Sequence, residues 1–532
     1  MERLLVPQNQ TAHEAPKLTV TASKSGLPTA IAGGRYIHSA YDPEKEAQRF
    51  SLQAGRFPPG SVVLLLGEAL GYLSRKLLSD NPGIRLLAVY CSAYFYDNRP
   101  AGEPQENEAW KPDGPERFAA FLSRNICDLD FPALRVVEWE PAADTFPLLF
   151  SRLREDVSRF GRQVNGSILT TAMFGKKWIT NTLRNFLAID QGLVPRRLAG
   201  PVCVAASGPG LEEALPFLRR HRQAFTLMAL PSSLDFLRRS GIEPEGLIMT
   251  DPGVYTGLHF RGASRRRTLL PDRSIKLCMP LSAYAGVRGK GFTFCLFHQG
   301  TLPEAALLRE LGQVLPYIPS NGTVSGTAVQ IALSLGDGPV ILLGMDMAAR
   351  GIEEHSRPNA FDEFYTEKDC RLKPEEGLRA LRMYDMYPDR LAGAWRTSPS
   401  LRTYTGWFSS MAEAWKGRVF RISPSPVDTG CVSSYAEAEK LLGEPPAFTF
   451  EKLRLPALRE RKERAVFFIE TLKDSLDKEL SGETAQLLFM ADSRAVLELK
   501  KSPAGGEAGE KLRQSVTEFC AFLYALAAGA AE

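Results

Sequence analysis

The residues able to do chemistry gather at four places, each just past a run of apolar, strand-forming residues. Ser207-Gly208-Pro209-Gly210 follows Val202–Ala206. Side chains this small let a ligand approach the backbone, and a helix starting after them offers free N–H groups and a positive dipole end. That suits a phosphate, and equally a plain strand-to-helix turn. Asp251-Pro252 follows Leu247–Thr250. A carboxylate there can hold a ribose, a sugar hydroxyl or a metal, or can cap a turn. Asn321, Gly322, Thr323, Ser325, Gly326 and Thr327 set short polar groups around two glycines ahead of an apolar helix. Such donors fit a phosphate or a base, and also an N-cap. Asp346 follows Pro339–Gly344, and His355 stands in the polar loop Gly351–Asn359. A histidine past a strand end is placed for general acid–base work, though a surface histidine without a role fits the same pattern. The sequence has no HExxH, GxSxG, Walker A or CxxC pair, which sets aside zincins, α/β-hydrolases, P-loop NTPases and zinc ribbons.

The surrounding pattern must put these groups at strand ends. Val62–Leu66, a helix from Gly71 to about Leu78, and Leu86–Tyr90 read as a βαβ unit. Tyr41-Asp42-Pro43-Glu44 opens a helix before it. The loop Gly67–Gly71 lacks the dinucleotide fingerprint, and Glu68 would repel a phosphate, so this first unit reads as a scaffold without nucleotide. Residues 150 to 195 read as a basic helical connector. Strands are then expected at 202–206, 225–230, 247–250, 276–279, 292–297 and 339–344, with helices at 212–222 and 233–239 and another after Thr327. Ala328, Ile331, Ala332 and Leu335 share one face of that last helix. From about 436 the chain is helix-rich, with Ala465, Phe468, Ile469, Leu472, Leu476 and Leu480 in a 3.6-residue stripe. Ser502–Gly506 reads as a linker. The fold class is thus α/β: an N-terminal Rossmann-like domain (1–165), a Rossmann-like central domain (166–435) and a helical C-terminal region (436–532). Tyr404, in Leu401–Phe408, reads as a core aromatic beside the pocket.

Bulk properties narrow the class of function. With 532 residues, 44% apolar and 24% charged, the chain has material for several cores. A net charge of +4 argues against a general nucleic-acid binder. The basic cluster Arg261, Arg265-Arg266-Arg267 is the local exception: a solvated loop or an anion site. The cysteines are scattered, and Cys203, Cys278 and Cys295 sit in apolar runs, as in a reduced compartment. No signal-peptide h-region and no membrane-length apolar run is read, so a cytoplasmic protein without a membrane span is expected.

The segment SGPGLEEALPFLRRHRQAFTLMALPSSLDFLRRSGIEPEGLIMTDPG resembles the core of the motility-associated factor (Maf) glycosyltransferases, also described as pterin-pyrophosphokinase-like. NGTVSGTAVQIALSLGDGPVILLGMDMA resembles their second hallmark, and YDPEKEA with VVLLLGEALGY their N-terminal region. The core is also similar to bacterial sialyltransferases that use CMP-sialic acid. Their Gly-Pro-Ser turn falls on Gly208, Pro209 and Gly210, their helix start on Val324, Ser325 and Gly326, their strand-end acid on Asp346, and their His-Ser on His355 and Ser356. The resemblance implies that Ser207 to Gly210 and Asn321 to Thr327 cradle CMP together with Asp251. It implies that His355 is the base, with Asp346 beside it in the catalytic set; no metal ligand is assigned, and Mg²⁺ as a cofactor is left open. The donor implied is a CMP-activated nonulosonic acid, and the acceptor a Ser or Thr of flagellin. The sequence departs from the pattern at Gly210, where the family has Ser, at Ser207, where the sialyltransferases have Asn, and at Glu68 and Leu70, where the family is richer in glycine. Two other readings stand beside this one. One is Mg²⁺-dependent diphosphate transfer to a hydroxymethylpterin, for which Asp251 and Asp346 are the available carboxylates. The other is a non-catalytic, motility-linked binding or chaperone protein on the same fold.

Overall fold

The computed structural model describes residues 17–99, 108–260, 275–287, 291–309, 315–443, 446–501 and 506–529. The Arg261–Arg267 cluster and most of the Ser502–Gly506 segment lie outside these residues. Two compact units form: 1–173 with 493–512, and 174–492 with 513–532. The region from 436, read as a helical C-terminal region, is divided between them.

In the first unit a small antiparallel sheet, β1 (Leu18–Ala22), β2 (Pro28–Ala32) and β3 (Arg35–Tyr36), precedes the helix Pro43–Ala54. Asp42 caps that helix by accepting the Lys45 N–H, with Pro43 at its first position, as the sequence predicts. The main sheet is all parallel, in the order β6-β5-β4-β7, from β4 (Val62–Glu68), β5 (Arg85–Tyr90), β6 (Ala109–Trp110) and β7 (Leu134–Glu138). Every residue of β4 is buried, as continuous apolar runs in parallel sheets are.

Glu68, at the end of β4, is fully buried. Its Oε1 accepts the N–H groups of Ala69 (2.7 Å) and Gly71 (3.0 Å), and its Oε2 accepts the Ser74 N–H (2.8 Å). In a nucleotide-binding βαβ unit those donors face a phosphate. Here a carboxylate of the chain itself holds them. The donors of this turn are thus occupied from within the chain.

The second unit is built on a nine-stranded sheet. Its strands are β8 (Gly192–Ala199), β9 (Val202–Ala205), β10 (Thr226–Ala229), β11 (Gly246–Ile248), β12 (Lys276–Met279), β13 (Thr293–Leu296), β14 (Val340–Leu343), β18 (Val419–Ile422) and β19 (Ala447–Leu453). The spatial order is β18-β14-β9-β10-β11-β12-β13-β8-β19, parallel except for the β8–β19 pair. Three short strands, β15 (Ala349–Arg350), β16 (Asp389–Arg390) and β17 (Trp395–Thr397), make an antiparallel sheet between β14 and β18. The strands expected from 202 to 344 are all present, Lys276–Met279 at its expected bounds and the others shortened or shifted by one or two residues. Cys203, Cys278 and Cys295 are buried free thiols within β9, β12 and β13.

The helix Val324–Leu335 covers the sheet with Ala328, Ile331 and Ala332, as its periodicity requires. Phe408 and Trp415 complete that core, and Tyr404 packs against it half-buried. In the helix Leu458–Asp474, Ala465, Phe468, Ile469 and Leu472 are buried, and the stripe ends with the helix before Leu480. Among the described residues no helix is long and apolar enough to cross a membrane.

Candidate functional site at the strand-order switch

From β9 the chain steps through β10, β11, β12 and β13 toward one edge, then returns to lay β14 on the other side of β9. The crevice beyond the carboxyl ends of β9 and β14 is therefore the switch point, where open α/β sheets bind ligands. Ser207–Gly210 leaves β9 there, and Asp346 and His355 follow β14.

The two loops are tightly interlocked. The Gly208 N–H donates to the Gly344 carbonyl (2.7 Å), and the Gly210 N–H to Asp346 Oδ2 (2.6 Å). Asp346 is 2% exposed and also accepts the Ser423 hydroxyl. Burial pushes its carboxyl above the usual range, while Ser423, the Gly210 N–H and the Arg421 guanidinium pull the other way. Asp346 is thus the anchor beneath the glycine turn, facing backbone. A Cβ at Gly210 would lie 2.5 Å from Asp346 Oδ1 and 2.6 Å from Pro424 Cδ. The absence of a serine at 210 is therefore a packing requirement of this chain. With the Leu211 N–H given to Gly208 O as well, the turn directs its donors inward.

Arg421 and Ser423 were not singled out from the sequence. Arg421 is buried, and donates to the carbonyls of Met345 (2.6 Å), Val427 (2.7 Å) and Asp346 (3.1 Å). The signal was available: a lone arginine inside the apolar strand Val419–Ile422 needs acceptors at the strand's end.

His355 does reach the switch point. Its Nδ1 lies 3.1 Å from Ser207 Oγ, and the Ser356 N–H donates to the Ser207 carbonyl (2.8 Å). The ring stacks on Phe361, with centroids 6.2 Å apart. Burial lowers its basicity, and the nearby Glu354 carboxylate partly restores it. His355 also lines a cleft with Glu354, Asn359, Phe361, Tyr365 and Arg382. Neither Ser325 nor Gly208 lines that cleft. The loop is stiffened from behind, where Arg379, 5% exposed, bonds Glu353, Asp362 and Glu375, and Arg382 bonds Glu354. This ion network and Phe361 were not legible from local sequence. A second histidine, His259, meets Phe361 edge-on at 5.3 Å. Its Nδ1 is buried without a partner. Burial and the charge of His355 bring it down to about 4.

The remaining predicted residues sit along the same carboxyl edge. The helix Val324–Leu335 must start there, because β14, which follows it, runs parallel to β9. Thr323 is its N-cap, and accepts the Gly326 N–H at 2.8 Å. Asn321 Oδ1 in turn accepts from the Thr323 N–H (3.0 Å) and Thr323 Oγ1 (3.2 Å), and Thr327 Oγ1 donates to the Thr323 carbonyl. A Cβ on Gly326 would strike Asn321 and Thr323, so that glycine serves the cap, while Gly322, at φ +80°, makes the turn before it. The cap reading thus accounts for most of this loop's hydrogen bonds. The N–H groups of Val324 and Ser325 remain without an intrahelical acceptor. Asp251 is exposed, and its Oδ1 accepts the Gly253 N–H (2.6 Å) in a local turn. Among the described residues no three acidic, histidine or cysteine side chains converge as metal ligands.

Comparison with known proteins places this arrangement. Residues 179–351 match the 6-hydroxymethylpterin diphosphokinase MptE-like family. The MptE-like segment holds the Ser207–Gly210 turn, Asp251, the Asn321–Thr327 cap and Asp346, and ends just before His355. The structure is similar to that of the Maf glycosyltransferase from Magnetospirillum magneticum AMB-1, with a TM-score of 0.61 over 97% of this chain and 93% of that one, at 13% identity. The resemblance read from the sequence is borne out by the two findings together. An uncharacterised protein of Treponema pallidum (strain Nichols) is 25% identical over 405 residues, covering 73% of this chain and 84% of the relative. A second uncharacterised protein of that organism is 25% identical over 117 residues, 21% of this chain and 55% of the relative.

Proposed function

We propose that the chain is a glycosyltransferase that moves a nonulosonic acid from a CMP-activated donor to a Ser or Thr hydroxyl of a protein, flagellin being the acceptor the Maf resemblance implies. The observation that carries this reading is His355, paired to Ser207 at the switch point of a Maf-like fold. A general base must be neutral at working pH, and burial favours the neutral imidazole. With Nδ1–H donating to Ser207 Oγ, Nε2 is left bare to take the proton of the acceptor hydroxyl as that oxygen attacks the anomeric carbon and the bond from that carbon to CMP breaks, releasing CMP. Ser207 then orients the base instead of touching the nucleotide. The phosphate of CMP falls to the free N–H groups of Val324 and Ser325 and the Ser325 hydroxyl, with the helix dipole behind them. Asp346 acts by holding the turn that carries Ser207.

The MptE-like match keeps diphosphate transfer to a pterin as the second reading. That chemistry needs Mg²⁺ between clustered carboxylates. Asp346 is committed to Gly210 and Ser423, and among the described residues no three acidic, histidine or cysteine side chains converge, which weighs against this reading.

Calorimetric titration of CMP against the parent protein and Ser325→Ala, with and without Mg²⁺, separates the two. Micromolar binding without Mg²⁺, weakened about tenfold in the variant by loss of one hydrogen bond, supports the nucleotide-sugar site. Absence of CMP binding under either condition refutes it.

A further inference from the structure

The carboxyl edge continues past the switch point over β11, β12 and β13, and the loops leaving these three strands are tied together by buried polar groups. Asn181 and Asn185, one turn apart on the helix Pro147–Ala188, are both buried. Asn181 Nδ2 donates to the carbonyls of Pro252 (3.1 Å) and Ser282 (3.3 Å), and Asn185 Nδ2 to those of Leu281 (2.8 Å) and Ala283 (2.9 Å). Glu304 is fully buried and joins the next pair of loops. It accepts the N–H and hydroxyl of Ser282 (both 3.3 Å) on one side and the Gln299 N–H (3.0 Å) on the other. Taking a carboxylate and two amides out of water is costly, the more so because Asn185 Oδ1 finds no partner among the described residues, and what these groups secure is loops at a ligand-binding edge.

What those loops display is solvent-facing. Asp251 is exposed, with Oδ1 held by Gly253 and the rest of its carboxylate open. The Tyr284 N–H donates to the Asp251 carbonyl (3.0 Å), which sets the two residues side by side. The Tyr284 ring lies against Gly257 and Gly286, where a Cβ would strike it. On the same short helical turn as Gly257, Tyr255 is 71% exposed. The turn Val254–Phe260 ends at His259 and Phe361, beside His355, so the rim runs continuously into the candidate site.

We propose that this rim is a carbohydrate subsite, in which Asp251 accepts ring hydroxyls, Tyr255 packs its aromatic face on the sugar's C–H face, and Tyr284 adds its hydroxyl. A carboxylate beside the exposed Tyr255 and the half-buried Tyr284 supplies acceptors and an apolar platform together, the combination that the hydroxyl and C–H faces of a sugar ring need. An extended peptide is a poorer fit, because β11 and β12 are paired on both sides and offer no free edge for strand addition. The inference rests on the glycosyl-transfer reading, and the ring it binds is either that of the donor or that of a glycan carried by the acceptor protein.

The test uses the full chain with Tyr255→Ala and Asp251→Asn. Asparagine can still accept the Gly253 N–H, so the turn is kept and only the charge is lost. Saturation-transfer NMR is recorded with methyl α-glucopyranoside and methyl β-N-acetylglucosaminide. CMP and CMP-N-acetylneuraminic acid are titrated in parallel. The expected result is that both variants bind a sugar-bearing probe about tenfold more weakly while CMP alone binds as in the parent. A loss confined to CMP-N-acetylneuraminic acid assigns the ring to the donor, and a loss confined to the glycosides assigns it to an acceptor. Failure of the parent to bind any sugar probe, unchanged sugar binding in both variants, or weakening that reaches CMP equally overturns the subsite. A parent that binds glycosides but not CMP instead refutes the nucleotide reading and leaves the rim standing.

Discussion

Replacing Gly210 by alanine should loosen the site without touching any group that meets substrate. The new Cβ would sit 2.5 Å from Asp346 Oδ1 and 2.6 Å from Pro424 Cδ, closer than real contacts allow. The backbone at Gly210 is not left-handed, so steric conflict is the whole effect. Asp346 cannot swing away freely, because the same carboxylate holds the Gly210 N–H and the Ser423 hydroxyl. Overpacking of this kind costs ~1–3 kcal/mol, and weakening a hydrogen bond to a charged acceptor adds ~1–2 kcal/mol. The interlock of the two loops should therefore lose ~2–5 kcal/mol, enough to speed local opening by about thirtyfold or more. Hydrogen exchange of peptides covering 206–213 and 343–348 reads this directly, and peptides from the first unit serve as internal reference. Gly210→Ser should behave alike, so restoring the residue typical of the Maf family should harm this chain. Adding Asp346→Ala to Gly210→Ala should recover part of the loss, because the two changes share one contact. Unchanged exchange in Gly210→Ala would refute the wedge and return Asp346 to the list of groups free to meet a ligand.

Two further outcomes follow from buried groups. His259 has its folded pKa lowered from 6.5 to about 4, so the neutral form is the one the fold accepts. As pH falls below 6.5 the unfolded chain takes up the proton first, and stability drops until about pH 4. At about 1.4 kcal/mol for each pH unit between, His259 should account for ~3 kcal/mol of acid destabilisation. In denaturant titrations His259→Phe should gain that much on its parent between pH 7 and pH 4, and parallel acid slopes would contradict the assignment. In the first unit, Glu68→Ala leaves three N–H groups without their carboxylate, at a cost of ~3 kcal/mol or more. Exchange of peptides spanning 66–76 should quicken, and millimolar inorganic phosphate should slow it again by entering the vacated place. A variant as protected as the parent would mean that water replaces the carboxylate without cost.

Much of the framework was legible because it is written locally. The strand at Lys276–Met279, the cap at Asp42 and the buried face of Val324–Leu335 each depend on residues a few positions apart. The Asn321–Thr327 loop was legible as polar and helix-preceding, but its hydrogen bonds decide how far cap and ligand site overlap, and those needed coordinates. The surroundings of His355 were beyond reach. Arg379 meets Glu353 across 26 positions, and Arg421 meets the Met345 carbonyl across 76. No periodicity encodes such pairs. The reading of the region from 436 as helical did not foresee β19, whose antiparallel pairing with β8 is set by a partner some 250 residues earlier.

Glu68 and Asp346 solve one problem in the same way. Each lies at the end of a buried parallel strand, and each gives its carboxylate to the N–H groups of a glycine-bearing turn where related folds receive a phosphate. In the first unit the carboxylate takes three donors and closes the turn to nucleotide. In the second it takes the Gly210 N–H, and with Gly208 tied to Gly344 the turn becomes a rigid platform for Ser207. A turn so filled cannot bind an anion, but it can hold a hydroxyl still, and Ser207 is the group that fixes the His355 ring. The departures of this chain from the sialyltransferase pattern at 207 and 210 are then a single coupled change. With glycine at 210 the acid packs against the turn, and with serine at 207 the hydroxyl turns to the histidine. What remains for an incoming phosphate is the helix start at Val324 and Ser325, which is why Ser325 is the residue on which the proposed nucleotide site should first be tested.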